Sequence, residues 1–164
     1  VDTLDDDFIA QPSFTFGSKG STSGRLMPEF YLRDTFNEAP DNLFEKVGFS
    51  GDHSRTIALV QSGAYATGAV NFKVWERELS EGKIDTSKVS VIWETPTYPD
   101  YHWTVRGDLD ERFGEGFSQR VTEALLSIDD PALLQAFPRE KFIPASNADY
   151  APIEDTASAI GLLD

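Results

Sequence analysis

A chain of 164 residues with 40% hydrophobic and 12% aromatic content has the material for a real core, which argues against a disordered segment. Its formal charge of -14 excludes nucleic acid and anionic membrane surfaces as partners, because both require clustered Lys and Arg. With no cysteine, it has no disulfides, thiolate catalysis or Cys-ligated zinc.

The acidic opening, Val1 to Asp7, has neither the basic nor the apolar region of a signal peptide. It lacks Met and leads quickly into a strand, so further residues are expected to precede it. Phe14-Thr15-Phe16 alternates as a strand does. Gly17-Ser18-Lys19-Gly20-Ser21-Thr22-Ser23-Gly24 then forms a glycine turn, and Gly24 to Asp34 is predicted as a helix carrying Leu26, Met27, Phe30 and Tyr31. Asn37 to Asp41 is predicted as a loop.

Lys46 to Phe49 is a second strand, and Ser50-Gly51-Asp52-His53 opens a second helix through Thr56 to Val60, stopping near Ser62-Gly63. The first unit is thus repeated in kind. Ala66 to Val70 is a third strand followed by a helix from Phe72 to Leu79, and Val89 to Trp93 is a fourth. This βαβαβαβ order predicts an α/β fold, a parallel-rich sheet flanked by helices. After two prolines, Pro96 and Pro99, the spacing predicts a strand over Tyr101 to Val105. A long helix should follow, capped by Asp108 or Asp110, with Phe113, Phe117, Val121, Leu125 and Ile128 as its apolar stripe. A short helix through Leu133 and Leu134 and another from Ile153 to Ile160 complete the expectation.

Loops beyond the C-terminal ends of parallel strands converge, which gathers Ser21, Thr22 and Ser23 with His53 and Asn71. Hydroxyls and the unbonded N–H groups of helix starts suit a bound anion, to which imidazole and amide add further donors. Each residue also has a plain structural reading: an N-cap for Ser21 or Ser23, a partly exposed polar side chain for His53, a helix cap for Asn71. Tyr98, Tyr101 and Trp103 offer amphipathic cover beside the proline crossover, with Tyr98 a candidate ligand-binding residue, or core. Lys19 is a rim charge or a solvated turn residue. Arg55 either clamps an oxyanion or pairs outward with Asp52 or Glu45.

Enzyme motifs find little support. The glycine turn lacks the Gly-Lys-Ser/Thr order of a nucleotide P-loop, and no Gly-x-Ser-x-Gly elbow occurs. Ser23, His53 and Asp52 are the one hydrolytic trio to weigh, although adjacent Asp52 and His53 are poorly placed to align. His53 and His102 have no metal-ligand spacing, so neither a metal nor a cofactor is expected.

Several segments together resemble one family. These are Phe16-Gly17-Ser18-Lys19-Gly20-Ser21-Thr22-Ser23-Gly24-Arg25-Leu26-Met27-Pro28, Phe49-Ser50-Gly51-Asp52-His53, Gly68-Ala69-Val70-Asn71, Gly82-Lys83-Ile84-Asp85 and Val91-Ile92-Trp93-Glu94-Thr95-Pro96. With the tail pieces Phe142-Ile143-Pro144-Ala145 and Asp149-Tyr150-Ala151-Pro152-Ile153, they resemble the phosphate/phosphonate-binding proteins of ABC importers.

The resemblance implies a two-lobed, type II periplasmic-binding-protein-like fold that closes over phosphonate, phosphate, phosphite or a related oxyanion. It implies delivery to ABC permease subunits at the periplasm or the extracytoplasmic membrane face, by a protein that is a monomer when complete. It places Ser21, Thr22, Ser23 and His53 in the anion contact set. It also implies that residues 14–95 make the second lobe, 96–103 an interlobe crossover, and 104–164 the C-terminal part of the first lobe, whose N-terminal part would precede Val1. Where relatives commonly carry an Asp before the Ala-Gly-Ala-Val segment, this chain has Ala66. The alternatives are an anion-sensing module outside transport and a small serine hydrolase.

Overall fold

The computed structural model describes residues 4–136 and 139–163. They form two compact units: one runs to Thr97 and takes in the chain again from Pro152, and the other is Tyr98–Ala151.

In the first unit, helix α1 (Asp6–Ile9) is capped by Asp5, whose carboxylate accepts from Phe8 N at 3.1 Å. Strand β1 (Ser13–Phe16) is buried along its whole length, as befits the central strand of a sheet covered on both faces. A π-helical turn (Thr22–Leu26) leads without a break into α2 (Met27–Phe36). Asn37 stops α2 in the left-handed conformation, which asparagine tolerates better than most residues. The expected loop at Asn37 to Asp41 holds the start of a helical turn instead, α3 (Pro40–Leu43), because Pro40 sits at its first position where a missing N–H costs nothing.

Strand β2 (Lys46–Phe49), helix α4 (His53–Gln61), strand β3 (Thr67–Gly68) and helix α5 (Phe72–Ser80) follow as predicted in type and order. Among the described residues the three strands are parallel in the order β2-β1-β3, with Phe14 paired to Val47 on one side and to Thr67 on the other. The third strand is shorter than the Ala66 to Val70 span, although Ala69 N still donates to Thr15 O at 3.0 Å.

Right-handed crossovers, one from β1 out to β2 and the next from β2 back past β1 to β3, run in opposite directions and so put α2 and α4 on opposite faces of the sheet. One face is aromatic: Phe14, Phe16 and Phe44 pack with Leu32, Phe36 and Phe8, and the Phe14 and Phe44 rings stack 5.2 Å apart. A second core cluster is mainly aliphatic, joining Ile57, Ile84 and Val89 to Val60, Val74 and Trp75. Helix α9 (Ala151–Ala159), predicted over Ile153 to Ile160, buries Thr156 and Ala157.

Two predicted strands are corrected. Val89 to Trp93 and Tyr101 to Val105 join no ladder among the described residues. Val89 is a core residue, whereas Val91 and Ile92 are exposed, as are Tyr101, Trp103 and Val105. Apolar alternation reports a wish to bury a face and says nothing of which edge will supply the hydrogen bonds.

The second unit is corrected too. The single long helix divides into α6 (Leu109–Phe113) and α7 (Phe117–Leu126), because Gly114 and Gly116 between them hold φ values of 97° and 73°. Asp110 caps the second piece, accepting from Ser118 N at 2.7 Å and Gly116 N at 3.2 Å. The short helix through Leu133 and Leu134 is α8 (Pro131–Gln135), capped by Asp130. Asp100 pairs with Arg139 and accepts the Tyr150 hydroxyl on its carbonyl at 3.1 Å.

Candidate functional site

Because the three strands are parallel, the starts of the helical segments after them all leave the same edge of the sheet. The chain moves from β1 to β2 on one side and then returns past β1 to β3 on the other. That reversal is the switch point at which open α/β sheets form their ligand crevice.

The loop after β1 is closed by a short bond from Gly17 N–H to Gly24 O, 2.7 Å. Ser21 caps the turn, its hydroxyl accepting from Gly24 N at 2.9 Å while its carbonyl accepts from the amides of both Arg25 and Leu26 at 3.0 Å. The second of these bonds spans five residues, which makes the first turn π-helical. Thr22 opens that turn and is half-buried, and Ser23 is buried. The amides of Thr22 and Ser23 precede the first bond within the turn and so have no carbonyl inside it to donate to.

His53 is the first residue of α4 and is half-buried. Asp52 caps that helix, its carboxylate accepting from Arg55 N at 2.8 Å. Asn71 caps α5 with Oδ1, which accepts from Lys73 N at 2.9 Å. This fixes the amide so that Nδ2 is the group turned to Ser23, 3.4 Å from its Oγ. Asn71 also donates its backbone N–H to His53 Nδ1 at 3.2 Å.

That last bond decides the chemistry. An Nδ1 that accepts a hydrogen bond carries no proton, so the neutral ring holds its hydrogen on Nε2, and Nε2 lies 3.4 Å from Ser23 Oγ. Ser23 therefore has N–H donors from His53 and Asn71 on its oxygen, leaving the hydroxyl hydrogen to donate elsewhere. Burial pushes the His53 pKa down, and the Asp52 charge opposes this only in part. The Nδ1 bond also favours the neutral form.

The same geometry removes the hydrolase alternative. A serine base must receive a proton on Nε2 and be oriented by a carboxylate at Nδ1. Here Nε2 is the donor, Nδ1 faces a backbone amide, and the carboxylate of Asp52 is engaged as a helix cap. Among the described residues no group of three or more His, Asp or Glu is placed to hold a metal ion.

Ser21, Thr22, Ser23, His53 and Asn71 thus belong to one loop cluster, with Ser23, His53 and Asn71 in direct contact. Tyr98 is half-buried and belongs to the second unit. Arg55 is exposed and joins no ion pair among the described residues. Lys19 is exposed and sits 5.4 Å above the Phe49 ring, which Arg25 also approaches at 5.4 Å. Ala66 lies next to the start of β1, where its N–H donates to Ser13 Oγ at 2.9 Å, at the opposite edge of the sheet from the helix starts.

One supporting group escaped the sequence reading. Glu29 is buried on α2 and binds Arg25 at 3.1 Å and Arg33 at 2.8 Å, while Arg25 Nη1 also donates to Lys19 O at 3.1 Å. The Arg-x3-Glu-x3-Arg spacing was a readable signal for it. This bracket ties the glycine turn to the helix that follows.

Comparison with known proteins identifies the family. Residues 2–150 match a family model described as ABC transporter, phosphonate, periplasmic substrate-binding protein. The chain is 45% identical over 147 residues to a probable ABC transporter phosphite binding protein, PhnD1, from Prochlorococcus marinus (strain MIT 9301). That alignment covers 87% of this chain and 50% of the relative. A solved structure of PhnD1 from the same organism, in complex with methylphosphonate, superposes with a TM-score of 0.86 at 38% identity, over 99% of this chain and 62% of that one. The chain spans about half the length of the curated relative it matches. No helix among the described residues is long and apolar enough to cross a membrane. This chain belongs to the family of periplasmic substrate-binding proteins of phosphonate ABC transporters.

Proposed function

We propose that this chain is part of the substrate-binding component of an ABC importer and binds a phosphonate, phosphite, phosphate or related oxyanion at the Ser21–Ser23 turn. The observation that carries the reading is the donor arrangement at Ser23. Its oxygen faces N–H groups of His53 and Asn71, so its own hydrogen is directed to a further acceptor. Neutral donors at a helix start hold a tetrahedral oxyanion by directional hydrogen bonds, and the -14 net charge of the chain is screened over about 8 Å of saline.

Thr22 adds its hydroxyl and amide to the same turn. Residues 14–95 form the second lobe, 96–103 the crossover and 104–164 part of the first lobe; the division between units after Thr97 supports a crossover starting near Pro96, whereas the return of the chain to the first unit from Pro152 departs from this scheme. The complete protein works as a monomer on the extracytoplasmic side, handing its ligand to permease subunits without chemical change.

Calorimetric titration of the full chain, freed of co-purified ligand, against phosphite, methylphosphonate, phosphate and sulfate tests this. One saturable ligand recovered unaltered is the expected result. No binding across the panel would move the function to another solute.

A further inference from the structure

Gly24 is a glycine that its backbone does not require. It lies inside the π-helical turn and is absent from the glycines with positive φ, so an alanine would fit its conformation and would be preferred in a helical turn. What it lacks is room. A Cβ on Gly24 would stand 3.0 Å from Ser21 Oγ, 3.1 Å from His53 Cε1 and 3.2 Å from Gly17 Cα. Separations this short make a neighbour move by a few tenths of an ångström.

The neighbours differ in what they can yield. Gly17 is backbone, held by its own N–H to Gly24 O at 2.7 Å and by Gly51 N–H on its carbonyl at 3.2 Å. Ser21 Oγ is fixed by the cap bond from Gly24 N. The His53 ring is the movable partner, and its 3.4 Å approach to Ser23 is already at the outer limit of a hydrogen bond. A shift of a few tenths of an ångström breaks that link.

We infer that Gly24 is a positioning residue of the anion site: the space left by its absent side chain is what lets the His53 ring seat between Asn71 N–H and Ser23 Oγ. The inference rests on the oxyanion reading of that cluster for its effect on affinity. Its effect on the ring is independent of any ligand.

The test is Gly24→Ala in the full chain, with Gly20→Ala as control, because a Cβ at Gly20 meets nothing within 4 Å. Three readouts are taken: thermal unfolding, nitrogen NMR of the His53 ring without ligand, and titration with methylphosphonate. Both variants are expected to fold. Gly24→Ala is expected to shift the His53 ring nitrogen signals away from those of the parent and to bind methylphosphonate at least tenfold more weakly, with Gly20→Ala within twofold of the parent. A Gly24→Ala protein with an unchanged ring signature and unchanged affinity overturns the inference, and so does one that fails to fold, since Gly24 would then serve the fold and not the ring. If the parent protein does not bind methylphosphonate, the oxyanion reading fails for that ligand, and the ring signature alone decides the role of Gly24.

Discussion

The backbone N–H of Asn71 donates to Nδ1 of His53 across 3.2 Å, so the residue that caps one helix sets the proton on a ring carried by another. A backbone amide cannot be deprotonated or rotated away as a side chain can. The ring is thereby held as an Nε2–H donor, which is what an oxyanion or the Ser23 oxygen needs from it.

His53 should titrate below a free histidine. Burial lowers its pKa, with Asp52 opposing, so the folded chain resists a proton that the unfolded chain accepts near pH 6.5. The stability that follows is fully present above about pH 6.5 and is lost as pH falls through the folded value. A ring-proton NMR titration is expected to give a His53 midpoint below that of a histidine peptide, and replacing His53 by Gln should flatten the fall of stability on the acid side of pH 6.5. A His53 midpoint above the peptide value would contradict this.

Asn71 has two separable duties. Asn71→Asp keeps an oxygen to cap Lys73 N but exchanges the amide donor for a negative charge facing Ser23. Oxyanion affinity should drop more than tenfold while thermal stability stays near that of the parent. Asn71→Ala also removes the cap and should cost about 1 kcal/mol of folding stability, read from urea denaturation.

Glu29 is expected to matter for stability. Glu29→Gln removes the charge that holds Arg25 and Arg33, of which Arg33 remains partly in water. A loss of about 1–2 kcal/mol follows once solvent screening is allowed for. Because Arg25 also holds the Lys19 carbonyl, hydrogen exchange in the glycine turn should quicken as well.

In the second unit, Gly116 sits at φ 73°, a left-handed position that an L side chain enters at a cost of about 1–2 kcal/mol. Gly116→Ala should speed amide exchange through the first turn of α7 and leave the Ser23 cluster unaffected. Equal exchange in α7 would show that the two helices do not depend on that break.

The parallel sheet was legible in the sequence because β1, β2 and α4 carry their signals locally: Phe14 and Phe16 on one face, Ser50-Gly51-Asp52-His53 as a helix start, Gly63 beyond the end. The loop cluster was legible through topology, which brings Ser21, Ser23, His53 and Asn71 to one edge whatever their separation along the chain. The Asn71 bond to His53 was hidden, since a backbone donor leaves no mark in residue identity. So was the role of Gly24, where the informative atom is the one that is missing. The misread strands at Val89 and Tyr101 share one cause: alternation is local, but the pairing edge is not. The divided helix could have been read from Gly114 and Gly116, which the apolar stripe on either side outweighed.

The most direct test of the account is a paired titration of the full chain and its Ser23→Ala variant with phosphite and methylphosphonate, with folding checked for both. Ser23 is buried and directs its hydrogen away from His53 and Asn71, so loss of the hydroxyl should weaken binding by about 1–3 kcal/mol, roughly 5- to 140-fold. Equal affinity in the two folded proteins would contradict an oxyanion site built on Ser23.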